Sequence, residues 1–88
     1  MGLEEIVSQL DIAERQLYET LSVVTTTRDR LLTTQRIVIQ AFGNAAATTR
    51  QEVVARIQTA EQRAYDLAQA ISAAAGRIED AKSVLMNQ

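Results

Sequence analysis

Cysteine, histidine, proline and tryptophan are all missing from the 88 residues, and each absence removes something. Without cysteine there is no thiol nucleophile and no disulfide; without histidine there is no imidazole base and none of the usual zinc sites. Without proline nothing breaks a helix by deleting a backbone donor. Glycine is confined to Gly2, Gly43 and Gly76, which leaves one plausible break near the middle. The aromatics are only Tyr18, Phe42 and Tyr65, too few to build a stacking platform for bases. Neither sign of charge dominates: 11 acids and nine bases, net −2, are spread along the chain. That leaves no footprint for a phosphate backbone, so nucleic acid is not an expected partner.

Long apolar runs are missing too. The longest charge-free stretches, Ile37 to Thr49 and Leu67 to Gly76, fall short of the roughly 18 to 20 apolar residues that a membrane-spanning helix needs. The chain opens Met1-Gly2-Leu3-Glu4-Glu5, with acids where a signal peptide carries bases. The expected location is the cytoplasm, or outside it through a system that reads no signal peptide.

What is present is a seven-residue rhythm. Leu3, Leu10, Leu17, Val24, Leu31 and Val38 recur at sevens, with Ile6, Ala13, Thr20, Thr27, Thr34 and Ala41 as the companion row. In the second half Val53, Ile57, Ala60, Ala64, Leu67, Ile71, Ala74, Ile78, Ala81 and Leu85 alternate steps of four and three. Between them Gly43 and Asn44 supply the two residue types that most readily take left-handed backbone angles. Thr48 or Thr49 is a candidate cap for the second helix, and Thr49 with Glu52 matches the capping-box spacing. The expectation is a single all-α domain: helix one over about residues 3–41, a turn at 42–48 and helix two over about 49–86, folded as a long antiparallel hairpin.

Two helices share only one mutual face, and the apolar residues exceed it. Ile12, Tyr18, Val23, Leu32, Ile37, Ile39 and Phe42 lie off the first expected seam, and Val54 and Val84 off the second. Burying one aliphatic side chain is worth about 1.5 to 3 kcal/mol, so these nine residues form the expected partner interface. Dimerisation into a four-helix bundle, with an identical or a homologous chain, would cover them.

Catalytic chemistry is not expected. The carboxylate pairs Glu4-Glu5 and Glu79-Asp80 are neighbours in sequence, so their side chains diverge around a helix and share neither a proton nor a metal. Ser8, Ser22, Ser72 and Ser83 have no histidine to activate them. No catalytic, cofactor-binding or metal-binding residue is assigned. The runs Thr25-Thr26-Thr27 and Thr33-Thr34 are unusual inside a helix; their hydroxyls are expected to bond back to the preceding turn, and the stretch to be either plain seam or a softer, adaptable segment.

An equal-armed helical hairpin with Ala41-Phe42-Gly43 at its bend resembles the small hairpin proteins of type VII secretion, whose hallmark is Trp-any-Gly at the turn, and their toxin-associated relatives. Gly43 matches; Ala41 stands at the tryptophan position, with Phe42 one place along. The family's export signal, a tyrosine with an acid four residues later, finds its nearest counterpart in Tyr65 to Gln69, which ends in an amide. The resemblance implies dimerisation, often with a different hairpin that carries the signal, and a role as secreted factor or as chaperone for a larger effector. The competing expectation is a self-assembling structural protein, either a homodimeric four-helix bundle or a filament subunit. An RNA-binding hairpin dimer ranks behind both, because the balance of charge is acidic.

Overall fold

Two helices of equal length account for nearly all of the chain in the computed structural model, which describes residues 2–87: α1 is Leu3–Phe42 and α2 is Ala47–Met86. They lie antiparallel in a rod measuring 65 × 16 × 14 Å. Among the described residues there is no strand. At about 1.5 Å of rise per residue, 40 residues span close to the whole rod.

The ends of α1 follow from local chemistry. The Gly2 carbonyl accepts from the Glu5 and Ile6 amides at 3.1 and 3.2 Å, and Glu4 and Glu5 place negative charge at the positive end of the helix dipole. At the other end Gly43 takes φ 54°, a value suited to glycine, while its amide still bonds the Ile39 carbonyl at 3.0 Å. A Cβ at Gly43 would meet nothing within 4 Å, so the demand for glycine there comes from the backbone angle alone.

The connection is shorter than the sequence suggests, residues 43–46 instead of 42–48. Asn44 is not the second left-handed residue; Ala46 is, at φ 46° and ψ 51°. Helix α2 therefore starts at Ala47, with Thr48 and Thr49 already inside it, and no side chain caps it. The capping box expected at Thr49 and Glu52 does not form. The turn is closed instead by Arg50, whose guanidinium donates across it to the Gly43 carbonyl. The Ala45 amide bonds the Phe42 carbonyl at 2.8 Å and completes the bend.

The seam holds the main departure. One row in each helix is as expected: Leu10, Leu17, Val24, Leu31 and Val38 of α1 are half-buried, and on α2 Ile57, Ala64, Ile78 and Leu85 are half-buried around the buried Ile71. The companion rows are each displaced by one residue. In α1 the second row is Val7, Glu14, Leu21, Gln35 and Phe42, with Arg28 at the same spacing; in α2 it is Val54, Glu61, Ala68, Ala75 and Lys82. The expected companions, from Thr20 to Ala41 and from Leu67 to Ala81, sit instead on the flank beside the seam.

Pairing of polar side chains explains the displacement. Lys82 Nζ reaches Glu14 Oε1 at 2.9 Å and Asp11 Oδ1 at 2.8 Å. With its amide nitrogen turned toward α2, Gln35 donates to both Glu61 oxygens at 2.8 and 3.0 Å. The Arg28 guanidinium lies 5.0 Å from the centre of the Tyr65 ring, within cation–π range. Long stems cover apolar neighbours while their heads find partners across the pair. A row that looks too polar for a seam thus becomes one, and the small residues move out. Among the described residues only Ile71 and Ala75 are fully buried, at 7% and 1% exposure, so the seam is one layer deep.

Candidate interaction surface

Because the helices are antiparallel, the row beside the seam on one side of α1 shares a broad flank with the corresponding row of α2. The hairpin therefore has two flanks, and they differ in chemistry.

One flank is rich in large side chains. Tyr18, Leu32 and Ile39 come from α1, Tyr65 and Met86 from α2, all exposed. Toward the open end this flank is acidic, carrying Glu4, Asp11 and Glu79, the last two of which pair with Lys82. The cluster is well organised: Lys82 is 13% exposed and holds three carboxylates, Glu79 at 3.1 Å being the third. Its hydrogen bonds to Asp11, Glu14 and Glu79, in that order of weight, raise the ammonium well above its ordinary value of 10.5. The hydrogen bond from Lys82, the largest influence on it, holds Glu79 below its ordinary 4.5. Glu14 Oε2 is buried without a partner among the described residues, so the cluster has no spare capacity to lose its lysine.

The opposite flank is built from the displaced rows: Ile6, Ala13, Thr20, Thr27, Thr34 and Ala41 of α1 beside Val53, Ala60, Leu67, Ala74 and Ala81 of α2. Not one of these is charged in a chain that is 23% charged. The threonine hydroxyls donate to their own helix, Thr20 to Gln16, Thr27 to Val23 and Thr34 to Arg30, at 2.8 to 2.9 Å. With the hydroxyls turned inward to backbone carbonyls, the hydrogen-bond donor of each is already satisfied. Helix α1 runs unbroken through them. Midway along, Thr27, Leu31, Thr59, Ala60 and Ala64 leave a shallow hollow of about 530 Å³, edged by Arg56 and Arg63. The next row outward carries Arg30 on α1 and Arg56, Arg63 and Arg77 on α2, and no acid. All ion pairs among the described residues involve Lys82, so none engages these four arginines.

The nine residues expected at a partner interface do not form one stripe. Tyr18, Leu32 and Ile39 belong to the large-residue flank. Val23, Ile37 and Val84, at 65, 58 and 63% exposure, stand outside the small-residue flank, and Ile12 lies on the back of α1. Phe42 and Val54 are half-buried, because both belong to the hairpin's own second seam row. Gly43 and Asn44 form the turn. The uncharged flank escapes sequence reasoning because its residues read as interior; its signal is the run of Ala and Thr at sevens beside a row with polar residues able to pair.

Among the described residues no group of three His, Cys, Asp or Glu side chains is placed to hold a metal, and no helix is long and apolar enough to cross a membrane. Compared with models of known families, with curated proteins and with solved structures, the chain matches none.

Proposed function

We propose that the chain is a non-enzymatic helical interaction module, a secretion-associated hairpin that pairs through its uncovered flanks with a related hairpin or with the helical region of a larger effector. The observation that carries the proposal is the amount of apolar surface left open on a one-layer fold. Tyr18, Val23, Ile37 and Val84 are each more than half exposed. Scattered single hydrophobes are ordinary on a surface, but aligned rows along a rod of this length mark an interaction face. The likeness of Gly43 and the equal arms to type VII secretion hairpins directs the reading toward a chaperone or co-secreted partner, with action in the cytoplasm or after export.

The test is light scattering and circular dichroism on the purified chain, alone and mixed with a co-encoded helical protein. A complex with that protein, weakened by Leu32→Ser with Ile39→Ser while helicity is retained, supports the proposal. A chain that stays monomeric and forms no complex with co-encoded helical proteins overturns it. Self-assembly as a structural protein is the second reading. What favours it is the presence of apolar rows on two separate flanks, which lets copies add on both sides.

A further inference from the structure

The hairpin exposes 6511 Å², against about 5,100 Å² for a compact monomer of its 9.7 kDa mass. The surplus is about 1,400 Å² per chain, or about 2,800 Å² for two chains, which falls within the roughly 2,000 to 5,000 Å² buried by obligate homodimers. We infer that a second copy of this chain docks on the small-residue flank, with the two turns at the same end of the resulting four-helix bundle. The inference rests on the reading of the chain as an interaction module and names the occupant of one flank.

Charge placement selects this arrangement. Two identical hairpins meeting face to face have two symmetric choices. With the turns at opposite ends, α2 lies along the second copy's α2. Arg56 and Arg77 are equally far from the two ends of Ala47–Met86, so Arg56 of one chain then meets Arg77 of the other, twice over. With the turns together, α2 lies along the second copy's α1, and levels within the hairpin are preserved across the interface. The Glu14–Lys82 and Gln35–Glu61 pairs fix those levels. Five residues from the first pair, Glu19 is level with Arg77; five from the second, Arg30 is level with Asp66. Arg77 and Arg30 are thus each level with an acid of the other copy instead of an arginine, twice over by symmetry, while Arg56 and Arg63 are level with the uncharged Gln40 and Thr33. Opposed like charges at a rim exclude an arrangement more firmly than matched charges add affinity.

Shape agrees with charge. By the same levels Val23 comes beside Ala73 and Ala74 of the second copy. Ile37 comes beside Thr59, at the edge of the hollow that Ala60 and Ala64 leave open. Small residues on both sides let the helices approach at the short end of the usual 8 to 10 Å spacing. Nor does burial of Thr20, Thr27 and Thr34 strand a hydroxyl, since each already donates to its own helix.

The test begins with mass. Sedimentation and light scattering are expected to give twice 9.7 kDa. A spin label on Asn44→Cys, the only thiol in the variant, then reports the distance between the two turns. Turns at the same end give less than about 30 Å, given helix spacings of 8 to 10 Å; turns at opposite ends of a 65 Å rod give about 60 Å, which overturns the arrangement. Arg77→Glu is expected to weaken the dimer about tenfold, and adding Glu19→Arg to restore it, with helicity unchanged in both. Failure of the second change to restore a weakened dimer also overturns the arrangement. A monomer at every concentration overturns the second copy as occupant, while a complex with a different hairpin would still uphold the interaction-module reading.

Discussion

Lys82 shows how one residue fixes the level of two helices. It is the one base among three carboxylates at the open end, and both charge states it organises have a sign that can be worked out. Glu79 is held below 4.5, so its contribution is complete above that value and is lost as pH falls through the lowered one. Lys82 is held above 10.5, so its contribution is complete below that value and is lost only as pH rises beyond it. The thermal midpoint is therefore expected to be flat from about pH 5 to about pH 10 and to fall on the acid side. Lys82→Met should lower the plateau and flatten the acid limb, checked by thermal melts across that range. At the other end of the rod the backbone sets the terms. Ala46 holds a left-handed conformation that costs a side-chain-bearing residue about 1 kcal/mol, so Ala46→Gly should stabilise the hairpin by about that much. Gly43→Ala should destabilise it by at least as much, and chemical denaturation measures both.

At the scale of the helix, the position of each face is decided by which rows find partners. Ala74 and Ala75 are adjacent in sequence and equally apolar, yet Ala75 is 1% exposed and Ala74 lies on the open flank. Ala75→Glu should therefore cost about 3 kcal/mol or more as a buried, unpaired charge, whereas Ala74→Glu should leave the helicity and stability of the isolated hairpin nearly unchanged. Ile71→Asp with Ile78→Asp should abolish the fold, since a chain of this size holds only about 5 kcal/mol in reserve. Circular dichroism during denaturation separates all three outcomes. The same pair of alanines shows what sequence can deliver. The period of seven, the break at Gly43 and the row from Leu10 to Val38 are written in residue type and spacing. The companion row is not, because apolarity favours Ile6 and Ala13 over Val7 and Glu14, and only the presence of Lys82 and Glu61 across the pair reverses that preference. The start of α2 is obscured for a similar reason: Thr49 and Glu52 have the spacing of a cap, but a bond from Arg50 to Gly43, seven residues apart, closes the turn without one.

For the whole molecule, a 65 Å rod in which Ile71 and Ala75 alone are buried among the described residues draws nearly all of its stability from a single seam, so anything that covers a flank adds to it directly. Pairing makes stability depend on concentration: each tenfold rise adds about 1.4 kcal/mol to a dimer and nothing to a monomer. The thermal midpoint of the purified chain should accordingly climb with concentration. The two flanks then separate by mutation. Ala74→Glu, on the uncharged flank, should abolish that climb and leave the midpoint of the dilute chain in place. Leu32→Ser with Ile39→Ser, on the opposite flank, should leave the climb intact, since those residues stay open when two copies meet through the uncharged face, and should weaken only the binding of a non-identical partner. If the serine pair abolished the climb and Ala74→Glu did not, the roles of the flanks would be reversed, and the large-residue face would be the one that joins identical chains.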